Sequence, residues 1–252
     1  ATVLFAVGYR GYTHVKPTGI RNNVFLQLFK VMLSAIRNRF NGRYNRPVQH
    51  WIDRAQADYS QDIVYDVKCV LRVCKVLVPI MIFWSLFDQH STRWVFQAAR
   101  MDRQVGSYNF NADQITTLNP LLVLFLVMLF DRVIYKVVAL FMNPTPMRKI
   151  SVGLLFTCAS FIASAIVEIC IVYNPGQVHA AWQIPQYVLL VIAEILVSVT
   201  GLEFAYSQAP KYYKGVMQSF YLLTVSMGNI VVFVVALIPI IPSSVALKGA
   251  YE

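Results

Sequence analysis

From Val73 onward the chain alternates long apolar runs with short polar breaks, and the length of the runs decides the class of fold. A helix that crosses a hydrocarbon core of roughly 30 Å needs about 20 mostly apolar residues. Five stretches qualify: Val73–Phe96, Leu118–Met142, Ile150–Tyr173, Ile184–Ala209 and Val216–Ile241. The opening Ala1–Val7 is apolar but too short to cross, and reads as the end of a further helix. Residues 1–9 show neither the basic stretch nor the small-residue cleavage site of a signal peptide. Ahead of the first run lies a polar, basic segment in which Phe25, Leu28, Phe29, Met32, Leu33, Ile36 and Phe40 recur at helical spacing. Lys30, Ser34, Arg37 and Asn38 fall on the opposite face, which predicts one amphipathic helix. Such a helix either lies in the headgroup layer or packs on the cytosolic face as a bridge between two halves, and the bridge is the favoured reading. A second, more polar helix is predicted over Asp53–Val67, continuing into the first run.

Composition agrees with the run lengths. The 252 residues are 57% hydrophobic and 13% charged, against about 25% charged in soluble domains. Net charge is +10, and the segment Arg10–Lys75 supplies most of it, with twelve bases against four acids. Lys and Arg stay on the cytoplasmic side during insertion, so this segment is expected to be cytosolic. Counting spans onward puts Arg148, Lys149, Lys211 and Lys214 on the same side, whereas the connections near Asn109, Pro175 and Ser243 carry little net charge. Charge gathered into loops between apolar runs argues against a nucleic-acid binder. No phosphate-binding glycine pattern, metal-ligand spacing or nucleophile elbow occurs, so neither an enzyme, a metal nor an organic cofactor is expected. Cys69, Cys74, Cys158 and Cys170 lie scattered in or beside the apolar runs and read as small hydrophobes rather than a disulfide framework.

The acids inside the runs carry the candidate chemistry, because an ionisable group in hydrocarbon usually faces a protein interior or an aqueous cavity. They are Asp88, Asp131, Glu168, Glu194 and Glu203. Glu168 reads as a structural carboxyl. Glu194 and Glu203 are nine residues apart, which at about 100° per residue places them on opposite faces of a continuous helix. Thr200 and Ser207 share a polar stripe with Glu203, while Ser198, Gly201 and Ala205 accompany Glu194 on a small-residue face suited to close packing. Glu203 is therefore the preferred ligand candidate, with Gly201 and Pro210 marking a place where the helix might loosen. Trp84, Asp88 and Ser91 share one face of the first run and suggest a cavity wall. Arg72 and Asp131 are placed to meet as an ion pair near the cytosolic mouth.

Four strings go beyond composition: FWSLFDQHSTRW (83–94), DQITTLNP (113–120), GLEFAYSQAP (201–210) and LLTVSMGNIV (222–231). Together they resemble the proton-dependent oligopeptide transporters, most closely the animal di- and tripeptide type. The resemblance implies an all-α membrane protein of major-facilitator fold, twelve spans in two six-helix bundles, that moves peptides inward with protons and uses no other cofactor. On that reading residues 1–9 end a truncated span and 10–72 form the interbundle linker. Residues 73–242 form an incomplete C-terminal bundle of five spans, and 243–252 an extracellular tail. Partners are di- and tripeptides, protons, the lipid bilayer and an N-terminal bundle, in a plasma membrane or alternatively an endosomal or lysosomal one. The resemblance assigns Glu203 and Asn119 to the peptide's α-ammonium, Trp84 and Tyr221 to pocket walls, with Ser207 and His90 as further substrate contacts. It assigns Arg72, Asp131 and Asp88 to gating and proton coupling. His90 stands where animal relatives commonly have Gln, and Tyr173–Trp182 is short where they carry a large extracellular domain. Rival readings are a major-facilitator carrier of nitrate, amino acids or histidine, and a non-transporting partner of a full-length form.

Overall fold

The computed structural model describes residues 23–42, 49–141 and 145–237. The expected helix end at 1–9 and tail at 243–252 lie outside the described residues. The chain divides into two compact units, Ala1–Lys68 and Cys69–Glu252.

In the first unit, helix α1 (Val24–Phe40) starts at Asn23, whose side chain accepts the Phe25 N–H at 3.1 Å, and ends with Arg37 and Arg39 at its negative pole. It packs along a 3-10 segment, Trp51–Ala57, with Leu28, Val31 and Ala35 buried on one side and Ile52 and Ala55 on the other. Two expectations change here. Asn38, assigned to the polar face, is only 2% exposed: its amide donates to the Arg54 carbonyl at 3.1 Å and to Asp58 at 2.9 Å. The residues assigned to the apolar face, Phe29, Leu33, Ile36 and Phe40 among them, are exposed instead. The predicted continuous helix over Asp53–Val67 is two elements. The Asp58 carboxylate is taken by Asn38 and by Ser34 Oγ at 2.5 Å, and the chain restarts at Ser60, whose carbonyl accepts the Val64 N–H. The following helix, α2, runs Gln61–Phe87. His50 caps the 3-10 segment, its backbone N–H donating to Asp53 Oδ2 at 2.9 Å, and Lys68 pairs with Asp53.

Five helical stretches are long and apolar enough to cross a membrane: Gln61–Ala99, Ala112–Val137, Pro146–Tyr173, Ala180–Ser207 and Lys214–Val234. Their number matches the five predicted runs, but their interiors are less regular than the runs imply. In the first span α2 tightens into a 3-10 turn, Asp88–Ser91, before α3 (Arg93–Ala99). Ser85, Ser91 and Thr92 each return their hydroxyl to a carbonyl three or four residues back, which competes with regular α geometry. A short hairpin, β1 (Gln104–Val105) with β2 (Tyr108–Asn109), precedes the second span, where α4 (Leu118–Leu129) passes through a π-turn, Phe130–Ile134, into α5 (Tyr135–Phe141). The third span is the uninterrupted α6 (Pro146–Tyr173). In the fourth, α7 (Ile184–Glu194) meets a second π-turn, Ile195–Val199, before α8 (Thr200–Ser207). The irregularity lies ahead of Gly201, not between Gly201 and Pro210. The fifth span is α9 (Lys214–Leu237).

The fourth span is the central one. Half of its apolar window is buried, against 17–39% for the other four. Phe130 of one π-turn and Ile195 of the other share a buried cluster with Leu126, Val191 and Leu196. Glycines permit the closest approaches: a Cβ on Gly153 would meet Val197 at 2.6 Å, and one on Gly228 would meet Trp84 Cβ at 2.7 Å and the first span's backbone at 3.0 Å. Toward the Ala99 end, Gln97 ties three spans together. It donates to the Ser164 carbonyl and to Glu168, accepts from Gln183 at 2.9 Å and from Gln186 at 3.1 Å, and Arg100 pairs with Glu168. The structural reading of Glu168 is consistent with that geometry.

Two outcomes are expected. Gly228→Ala forces backbone apart and should lower thermal stability in detergent by about 1–3 kcal/mol, whereas Gly215→Ala, with nothing within 4 Å, should not. Burial pushes the Asp53 carboxyl up, but the Lys68 ammonium and the His50 N–H outweigh it and hold the carboxyl below its ordinary range. The folded carboxyl thus titrates below the unfolded one, so its contribution is present above about pH 4 and is lost as pH falls through the folded value. Hydrogen exchange of Trp51–Ala57 should show Asp53→Asn opening more easily at neutral pH, by about 1 kcal/mol, and converging with the unsubstituted chain in strong acid.

Candidate functional site

The π-turn in the fourth span changes which carboxylate reaches the interior. An inserted residue takes up roughly 100° of rotation, so Glu194 and Glu203 stand about 80° apart rather than opposed, and about 13 Å apart along the axis. Asn119, at the start of α4 and 8% exposed, donates its amide to Glu194 Oε2 at 3.2 Å. The sequence expectation paired Asn119 with Glu203, and the structure brings it to Glu194. Reading the helix as continuous had put Glu194 on the packing face. Its neighbours in sequence, Ala193 and Ile195, are indeed buried, yet the half-buried carboxylate projects between the second and fourth spans. Among the described residues, Asn119 Oδ1 has no donor, and neither has the second oxygen of Glu194.

Tyr221 of the fifth span closes this region. It is buried, its hydroxyl donates to the Ser198 carbonyl at 2.8 Å, and its charge environment includes Glu194. Ser198 belongs to the π-turn, whose widened hydrogen-bonding pattern frees a carbonyl for a side chain. Gly201 makes the fit possible, since a Cβ there would lie 2.9 Å from the Tyr221 ring and 3.2 Å from Ile80. One turn along from Ile80, Trp84 begins an aromatic run. Phe83, Trp84 and Phe87 contact one another with ring centroids 5.3–5.8 Å apart, and Trp84 Nε1 is buried without a hydrogen-bond partner. His90 joins this run: its Nδ1 lies 2.6 Å from the Phe87 carbonyl, and Tyr187 donates its hydroxyl to the His90 carbonyl at 3.2 Å. Asp88 is half-buried and within electrostatic reach of His90.

The remaining candidates lie elsewhere. Glu203 is exposed and, with Asp131, within electrostatic reach of Tyr135, over whose ring Lys149 sits at 4.2 Å. Ser207 is exposed and donates to the Phe204 carbonyl. Arg72 and Asp131 are both exposed and form no ion pair with each other here. The geometry therefore gathers Asn119, Tyr221 and, along the first span, Trp84 around Glu194, and leaves Glu203 and Ser207 out. The missed residue, Glu194, had a signal in the sequence: Ala, Gly and Ser positions one to two turns away let neighbouring helices come close enough to enclose it.

Membrane-crossing helices that hold an incompletely satisfied carboxylate and amide between them make a place for a polar solute within the bilayer. The POT family model, PTR2, matches residues 1–245, and the chain belongs to that family. It is similar to human solute carrier family 15 member 2, 38% identical over 211 residues that cover 81% of this chain and 28% of that protein. It is likewise similar to peptide transporter 3 of Caenorhabditis elegans, 33% identical over 170 residues, 67% of this chain and 24% of that one. The solved POT family transporter PepTSo superposes with a TM-score of 0.73 at 28% identity, over 98% of this chain and 57% of that chain. An auto-inhibited POT family peptide transporter gives 0.72 at 27% identity, over 97% and 55%. The chain spans about a quarter of the length of these two curated relatives. Its fold is the all-α, major-facilitator type of this family of transporters.

The contact between Gly201 and Tyr221 can be tested within the site. Tyr221→Phe should cost about 0.5–1.5 kcal/mol of thermal stability. Gly201→Ala displaces the same ring, so the double variant should lose clearly less than the sum of the two, and additive losses would separate the residues.

Proposed function

We propose that this chain is part of a proton-coupled symporter of di- and tripeptides and supplies the half-site for the peptide's amino terminus. The observation that carries the reading is the Glu194–Asn119 pair, with two acceptor atoms on adjacent residues and no donor for either. An α-ammonium has three N–H donors and a full charge, and so satisfies both acceptors while neutralising the carboxylate. Clamping the charged end of a peptide gives affinity without selecting a side chain, which suits a carrier of many sequences. Trp84 and Tyr221 then supply apolar walls for the side chains, and Trp84 Nε1 offers a further donor.

The peptide's carboxylate is assigned to basic residues of the N-terminal bundle implied by the family. Arg72, Asp131 and Asp88 keep the coupling role on the family's authority, Arg72 and Asp131 meeting in a conformation other than this one. His90 has one ring nitrogen committed to the Phe87 carbonyl, so any substrate contact falls to the other. Glu203 is reassigned from the ammonium to the group around Tyr135. The plasma membrane is the proposed location.

Uptake into vesicles by the transporter containing this chain tests the assignment. Glu194→Gln should weaken dipeptides with a free amino terminus by about 10- to 100-fold, the range of a lost charge-assisted hydrogen bond, and N-acetylated analogues far less. Glu203→Gln should leave both within a few-fold of normal. Equal losses for the two substrate classes, or a selective loss in Glu203→Gln alone, would remove Glu194 from this role.

A further inference from the structure

Helix α1 uses only part of its circumference within its own unit. Leu28, Val31, Ala35 and Asn38 are its buried residues, and they occupy one sector. At about 100° per residue, Leu26, Phe29, Leu33, Ile36 and Phe40 fall in a different sector about 80° wide. All five are exposed, Leu33 at 69% and Phe40 at 83%. Lone apolar residues on a surface are ordinary, but a continuous stripe five residues long marks an interaction face. Bases flank it: Lys30 and Arg37 along one edge, Arg39 toward the other. The helix Val24–Phe40 contains no acid.

We propose that this face of α1 lies on the membrane surface, with its apolar stripe among the upper acyl chains and Lys30, Arg37 and Arg39 against anionic headgroups. Charge complementarity favours lipid over protein. A wide apolar face with cationic edges and no acid is the pattern of a helix lying in the interface of an anionic leaflet, whereas protein–protein contacts are depleted of lysine. Chain continuity brings the two together, because the same unit contains the first residues of the span that begins at Gln61. The inward face is already satisfied by Ile52, Ala55 and the Asn38–Asp58 hydrogen bonds, so the helix has no need to roll its stripe toward its own unit. This replaces the bridge reading of the helix with a surface one, and does not depend on which solute the transporter carries.

Depth-resolved quenching tests it on the full chain. The four native cysteines are replaced by serine, and a single environment-sensitive dye is placed by Leu33→Cys, Phe40→Cys or, as a control on another face, Gln27→Cys. The protein is reconstituted into brominated phosphatidylcholine vesicles with and without phosphatidylserine. Dyes at positions 33 and 40 should be quenched by the brominated chains at least about twofold more strongly than at 27, and more so with phosphatidylserine. Neutralising Lys30, Arg37 and Arg39 together to Gln should remove that dependence on phosphatidylserine. Shielding of both dyes from aqueous iodide without quenching by lipid would mean that protein covers the face, and ready quenching by iodide would mean that water does. Either result overturns the proposal, as would quenching insensitive to phosphatidylserine.

Discussion

A carboxylate halfway along a lipid-spanning helix must be neutralised, paired or given access to water, because leaving it unpaired costs about 2.5–3.5 kcal/mol even on the mildest insertion scale. Glu194 imposes that constraint here, and much of the second unit is arranged around it. Its helix is the most enclosed of the five. The two π-turns sit in the second and fourth spans, the pair that Asn119 and Glu194 join, and their apolar residues share one buried cluster. Gly153 and Gly201 then let the third and fifth spans approach the same helix closely enough to shut lipid out. A ligand carboxylate of this kind is affordable only inside such a shell, and the shell leaves two acceptors open for a cation to complete.

The five crossings were legible in the sequence because an apolar run of about 20 residues is a statement about length, and length survives local irregularity. The irregularities themselves were not. A π-turn adds one residue to a turn without any change in composition: Ile195–Val199 is as apolar as the helix on either side of it. Yet that residue rotates everything beyond it, and it undid the inference from uniform spacing that ranked Glu203 above Glu194. Trp84, Asn119 and Tyr221 were found by resemblance and are placed near the pair by the fold. Glu203 and Ser207, chosen for sharing a polar stripe, sit on an exposed surface. A polar stripe identifies residues that avoid lipid, and it does not distinguish a cavity from a solvated helix end.

Amides do the joining toward the Ala99 end of the spans. Gln97 donates twice and accepts twice, reaching the third and fourth spans at once, and only one ion pair, Arg100 with Glu168, is spent beside it. Neutral side chains carry a smaller desolvation penalty than charges, and a fully connected network fixes orientation where a half-satisfied one would weaken it. The consequence is a first span with two sets of neighbours. Its short segment α3 is held to the third and fourth spans through Gln97 and Arg100, while its long segment α2 lies against the fifth at Gly228. The 3-10 turn Asp88–Ser91 stands between the two, next to the aromatic run that the substrate reading assigns to the pocket.

Helix α1 shows why an amphipathic pattern fixes less beside a bilayer than it does in a soluble domain. Periodicity sorts residues by their aversion to water, and in a soluble domain only one refuge exists, the core. A chain that also crosses a membrane has two, and the same stripe of Phe29, Leu33, Ile36 and Phe40 is equally at home against protein or against acyl chains. What breaks the tie is the inventory of polar partners. Asn38 can be buried because the Arg54 carbonyl and the Asp58 carboxylate receive its amide, and Ser34 because Asp58 receives its hydroxyl. Once those bonds claim the small-residue face for the first unit, the bulky face is left to the outside. The position of a partner 20 residues along the chain therefore decided the orientation of the helix, and no window centred on the helix itself contained that information.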